Sequence, residues 1–264
     1  MKKSRKRLLI SSVAMLLVAM LALGTATFAW FTTSTSTKAD GINVTTVKSS
    51  DLKISRYNHT WVDGFSYGHT SDTYKPTSSL DGVAWYTAVA EKKNEFTKKT
   101  GTDFASAGTM TLSVDGGIAN YVYVEELNVK NGGDVTATNV QIEISGTFSD
   151  YVRVALVPCD SNHTMTGTFA DCVYGKDTTS YTPAPATVPQ GQSVAPTITP
   201  KTTRTITPTP VGSGKTAGVF EKDDAAYFRV YVWFEGQDTD CYDNNGGQNL
   251  PDLQFKVTGT TSQS

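Results

Sequence analysis

The chain has 264 residues, three cysteines and a formal net charge of −2, enough length for one large β-sandwich or two small domains. Lys2, Lys3, Arg5, Lys6 and Arg7 all precede the first acid, Asp40, so removing residues 1–29 leaves a remainder at −7. That balance argues against nucleic acid and anionic membrane as partners, because both need a basic footprint.

The chain opens with a basic stretch, MKKSRKR, followed by a 16-residue apolar run from Leu8 to Leu23. Thr27 and Ala29 then occupy the −3 and −1 positions of a small-x-small signal-peptidase site, with Trp30 as the first mature residue. Together these features predict a cleavable signal helix over residues 1–29. The competing reading is an uncleaved anchor, since no charge occurs from Leu8 through Thr37 and that span is long enough to cross a bilayer. The Ser/Thr-rich second half matches hydrocarbon poorly, which favours cleavage and places the mature protein outside the cell or on its surface. A flexible hydroxyl-rich tract is expected over Thr32–Thr37.

Residues 30–264 read as a single all-β domain, an antiparallel β-sandwich or jelly roll. Ile42, Val44 and Thr46 alternate, as do Leu52, Ile54 and Arg56, which predicts two short strands. Residues 57–82, rich in Tyr, Gly, Ser and Asp, predict loop with an irregular strand. The run from Tyr86 to Lys99 predicts a short amphipathic helix. Further strands are expected at Met110–Val114, Tyr121–Val129, Val140–Ile144, Val152–Leu156 and Leu253–Val257. Asn131-Gly132-Gly133-Asp134 predicts a tight turn with residues at positive φ. Tyr227 to Phe234, YFRVYVWF, is apolar at almost every position and predicts a central strand covered on both faces. Seven of the ten prolines fall between 178 and 212, which predicts an exposed insertion or a pair of irregular edge strands within the one domain.

Candidate chemistry is sparse. His59, His69 and His163 form no HExxH pair, and there is no Cys-x-x-Cys or G-x-S-x-G motif, so the chain reads as non-catalytic. His59 and His69 with Asp63 or Asp72 are a weak metal constellation, more simply read as a solvated loop. Asp238, Asp240, Asp243 and Asn245 space hard oxygen ligands as a calcium loop does, but no acid follows to supply the last bidentate ligand. A polar loop capping the preceding strand is the plainer alternative, and no other cofactor is implied. Cys159 and Cys172 bracket a polar segment and are either a disulfide or two free thiols, with Cys241 left over. Asn43, Asn58 and Asn162 open N-x-T sequons of the kind that arise by chance in Thr-rich chains.

The run LALGTATFAWFTTSTSTKADGINVTT carries a Gly–Thr pair after the apolar region, the aromatic junction Thr27–Phe31, a Ser/Thr tract and then a strand. It resembles the leader region of TasA/camelysin-type proteins of Firmicutes, which the dedicated signal peptidase SipW processes. The run WFEGQDTDC from Trp233 to Cys241 is similar to a strand-end motif of exported proteins of the same class. The resemblance implies a SipW-like peptidase as a processing partner, a bacterial source without N-glycans, and assembly into extracellular matrix fibres. Some camelysin relatives are described as metalloproteases, but no motif here carries that role over. On this reading Ile42, Val44 and Thr46 form a strand that pairs with the edge of a neighbouring copy. The alternative is a monomeric adhesin or glycan binder that stacks sugars on Tyr57, Trp61, Phe65, Tyr67 and Tyr74.

Intact mass and N-terminal sequencing of protein recovered from culture medium are expected to give a chain starting at Trp30. A chain retaining Met1 and recovered only with membranes would establish the anchor instead.

Overall fold

The computed structural model describes residue 15 and residues 42–46, 51–56, 60–67, 73–83, 85–89, 92–98, 121–183, 196–238, 240–241 and 248–261. Among the described residues, fifteen strands follow in chain order: β1 (Asn43–Thr46), β2 (Leu52–Ser55), β3 (Gly64–Ser66), β4 (Thr73–Tyr74), β5 (Thr77–Ser78), β6 (Tyr86–Val89), β7 (Lys92–Lys98) and β8 (Val122–Asn131). The remainder are β9 (Ala137–Gly146), β10 (Val152–Cys159), β11 (Val173–Tyr174), β12 (Thr205–Ile206), β13 (Ala225–Phe234), β14 (Gln248–Asn249) and β15 (Leu253–Thr261). One 3-10 turn, Phe169–Cys172, interrupts them. The fold is all-β.

Two five-stranded sheets dominate, ordered β12-β9-β15-β1-β3 and β11-β10-β13-β8-β2. Their strands pair antiparallel, except that β1 runs parallel to β15. In β9, Val140, Ile142 and Ile144 are buried and Gln141 and Glu143 exposed, so period-2 alternation gives the first sheet one wet face. Ile42, Val44, Ile142 and Phe255 of that sheet meet Leu127, Val154, Phe228 and Val232 of the second in one core.

The second sheet has no comparable wet face. Val124, Ala155, Tyr231 and Trp233 point away from the main core into another, roofed by Trp85, Phe169, Tyr181 and Ile198. This double burial agrees with the continuous apolar character of YFRVYVWF, and β13 lies mid-sheet between β10 and β8. Trp85 and Trp233 meet edge-to-face at 5.4 Å between centroids, as do Phe169 and Tyr231 at 5.2 Å. Each such contact adds roughly 0.5–1.5 kcal/mol beyond area burial. Gly82 is required here: its φ is +73°, and a Cβ at that position would fall 2.5 Å from the Phe169 ring.

Two expectations need correction, and a third resolves to one of its two readings. The described part of Tyr86–Lys99 is strand and not helix: β6 and β7 pair antiparallel, with Tyr86 opposite Lys98 and Val89 opposite Lys92. Pairing of β6 with β5 supplies tertiary hydrogen bonds that outweigh the helix propensity of the Ala/Glu/Lys centre. The chain does reverse at Asn131–Asp134, yet neither glycine there is left-handed. Gly133 is small because a Cβ would lie 2.4 Å from the Asp51 carboxylate. In the Pro/Thr-rich region, the described residues follow the edge-strand reading and form irregular edge pairs. Tyr181 pairs with Ile198, Lys201 with Tyr174, and β12 with β9, so residues 198–206 strap the edges of both main sheets. The Met110–Val114 strand expectation lies outside the described residues.

Phe169→Ala is expected to lower the unfolding free energy by about 3–5 kcal/mol in chemical denaturation. An unchanged midpoint would mean that the outer layer is not part of the cooperative fold.

Candidate functional site

The first described strand is built into its own sheet. Val44 sits between Phe255 of β15 and Phe65 of β3, and Thr46 lies opposite Val257. Ile42 and Val44 are fully buried. The Ile42 carbonyl accepts the Tyr67 N–H at 3.0 Å, and the Thr46 N–H and hydroxyl both donate to the Asp63 carbonyl at 3.0 Å. The strand is thus held by backbone ladders on both sides and by two apolar anchors. Nearby, the exposed Lys53–Asp63 pair adds little to this.

The edges around it are short. β3 bounds the first sheet and β2 the second, and Ile54 and Val62 exchange 2.8 Å backbone hydrogen bonds that join them at a corner. At the opposite side, Ile144 donates to the Arg204 carbonyl, while the Arg204 guanidinium donates to the Gly175 carbonyl at 2.9 Å. Among the described residues, the main sheets expose edge strands of only two to four residues.

The other expected sites fare differently. Thr27, Ala29 and Trp30 lie outside the described residues, as do Asp243, Asn245, His59, His69 and Asp72. Asp238 is buried and has a protein partner: its Oδ2 accepts from the fully buried Arg153 guanidinium, and its Oδ1 accepts the Asp240 N–H at 2.9 Å. The WFEGQDTDC run thereby closes a buried knot. Glu235, also fully buried, accepts from the Trp233 indole N–H at 2.9 Å and the Gln237 N–H at 3.0 Å. Desolvation pushes the Glu235 carboxyl up to about 7 and raises Asp238 as well, outweighing the pull of Arg153 on each. Among the described residues, no three His, Cys, Asp or Glu side chains are placed to hold a metal, and no helix is long and apolar enough to cross a membrane.

The Cys159–Cys172 bridge is absent. Register explains why. Tyr174 and Val173 pair with Val154 and Ala155, so Cys172 continues toward Leu156, three residues short of Cys159. At about 3.3 Å per residue that offset is roughly 10 Å, beyond disulfide reach. Cys159 instead lies opposite Met165, and burial pushes its thiol up to about 11, away from reactivity. In the aromatic row, Tyr57 lies outside the described residues, Tyr67 and Tyr74 are buried, and Trp61 and Phe65 are half-buried. The Tyr67 hydroxyl is spent on the Glu126 carbonyl at 2.6 Å.

Two further buried ionic groups lie on β8. Glu125 faces the main core and pairs with Arg56 at 2.5 Å, near the Tyr123 hydroxyl. Glu126 faces the outer layer, with Oε2 2.8 Å from His163 Nδ1. Both carboxyls are raised by desolvation, Glu126 to about 7 against the opposing pull of Arg229 and Asn128. Charged residues inside apolar strand runs, as in YVYVEELNV, YVRVALV and YFRVYVWF, were the available signal for these groups.

Compared with known proteins, the chain matches no family model and no curated protein.

Asp238→Ala is expected to cost about 3–5 kcal/mol in urea denaturation, because it strands the buried Arg153 charge. Arg153→Met combined with Asp238→Leu is expected to recover most of that loss. A double variant no better than the single one would show that the knot is more than a charge pair.

Proposed function

We propose that this chain is an exported, non-catalytic structural protein of the cell surface or extracellular matrix that assembles with copies of itself through its N-terminal strand. The observation that carries the reading is the slot between β15 and β3, filled by Ile42 and Val44 from the N-terminal end of the described domain. A second copy's Ile42–Thr46 has the same side chains and ladder, so exchange replaces every contact with an identical one. Short, strapped edges favour exchange into this slot over simple addition to a free edge. The basic-plus-apolar leader, the acidic remainder and the TasA/camelysin-type leader motif support export, with a SipW-like peptidase cutting near Ala29. In this reading residues 1–29 form the signal helix and the two main sheets a jelly-roll-like sandwich.

The test compares residues 30–264, residues 48–264 and a Thr45→Cys/Lys256→Cys variant of the longer chain, by size-exclusion chromatography and electron microscopy. Thr45 and Lys256 are register partners, so their disulfide would lock β1 in its own sheet. The 30–264 chain is expected to form oligomers or fibres. The shorter chain should not, and the locked chain should assemble only after reduction. Fibres from the 48–264 chain, or monomers throughout, would overturn the proposal.

A further inference from the structure

We propose that Glu126 and His163 form a proton-holding latch that pins the 159–165 hairpin onto the outer face of the second sheet and releases it above neutral pH. This device is independent of the N-terminal strand.

β10 ends at Cys159, and the chain reverses so that Met165 lies opposite that residue. The reversal is self-bonded: the Asp160 carboxylate accepts the Asn162 and Thr164 N–H groups at 2.8 and 2.9 Å, and the His163 N–H donates to the Asp160 carbonyl at 3.0 Å. His163 sits at φ +62°, a left-handed conformation that a non-glycine residue adopts at a cost. That conformation accompanies a reach across β13 toward β8. The imidazole lies edge-on to Tyr227 at 5.3 Å, its carbonyl accepts from Arg229 Nη2 at 2.9 Å, and Nδ1 approaches Glu126.

Glu126 is enclosed from every side. Asn128 lies beside it on β8, Arg229 is its register partner on β13, and Tyr227 is the partner of Asn128. Cys159 comes from β10, Asp160 and His163 from the hairpin, and Ser55 from β2, where the Asn128 amide reaches its hydroxyl at 3.4 Å. Glu125 and Arg56 pair with each other as the next charges along. The Glu126 side chain is 1% exposed, and neither oxygen receives a well-aligned hydrogen bond from the protein. Only the Asn128 side chain and the nearby Arg229 charge favour the ionised form there, so the neutral acid suits the site better. Lifting the hairpin would admit water to the anion.

The sign follows from the two shifts. The Glu126 carboxyl rises to about 7 when the hairpin is closed, so its contribution to closure is complete below the ordinary carboxylate range and is lost as pH rises through 7. His163 is lowered by desolvation and by Arg229, which opposes closure once pH falls below the ordinary histidine value. Closure is therefore firmest in mildly acidic solution.

Hydrogen exchange on the full chain tests this through the amides of Asp160, His163 and Thr166, which are bonded within the hairpin. After correction for intrinsic exchange, their protection is expected to fall about tenfold between about pH 6 and about pH 8.5, one unit of unfavourable ionisation. β13 amides should hold theirs, and Glu126→Gln should keep the hairpin protected at both pH values. Equal wild-type protection at both, or the same fall in Glu126→Gln, would overturn the proposal. Should that variant not fold, the carboxyl-carbon NMR titration of Glu126 in the wild-type chain decides. A midpoint near 7 supports the latch, and one in the ordinary carboxylate range overturns it.

Discussion

A central sheet without a wet face is the constraint on which the rest of this molecule depends. β8, β10 and β13 are buried on both sides, so any charge they carry must be answered from within the protein. Arg153 is answered by Asp238 and Glu125 by Arg56, whereas burial pushes Glu126, beside Arg229 and His163, toward its neutral form. Such pairs seldom add net stability over apolar replacements, but losing one partner is costly. They therefore restrict which loops can lie over the sheet. The outer layer, from Trp85 through Phe169 to Tyr181 and Ile198, supplies both the apolar cover and some of the answering groups.

The first sheet has a different economy. Its outer residues, among them Gln141 and Glu143, are in water, and its burial is confined to one side. Both ends of the described domain meet here in the β1–β15 ladder. The 198–206 strap and the Ile54–Val62 corner then limit the length of free edge, which is how sheet proteins guard against indiscriminate pairing. Pro200 in the strap, and Pro208 and Pro210 just after it, lack the N–H donors through which another strand would attach.

Much of the strand content was legible because local patterns follow local burial. The alternation of Val140, Ile142 and Ile144 and the unbroken apolar run in β13 reported one-sided and two-sided burial directly. What was missed depended on distant partners. Asp238 within an acidic loop suggests a cation until Arg153, 85 positions away, is known to lie against it. Cys159 and Cys172 suggest a staple until the β10–β11 register places them out of reach. Tyr181 and Ile198 are isolated apolar residues in a Pro/Thr-rich stretch, too sparse to set a period, yet both complete the outer core. Tyr86–Lys99 misleads for the same reason, because its fate is decided by pairing with β5. The slot for Ile42 and Val44 was equally hidden, since one of its walls, β15, lies far away in sequence.

That parallel pairing also fixes an order in time. Val44 and Phe255 are about 210 residues apart, and a chain emerges from the ribosome N-terminus first. β1 thus appears well before β15, which forms one wall of its slot. Closing so long a loop is entropically slow, and no local contact of β1 can stand in for β15. For most of its emergence the strand's two buried anchors have no home within their own chain. That interval gives a neighbouring molecule its opportunity.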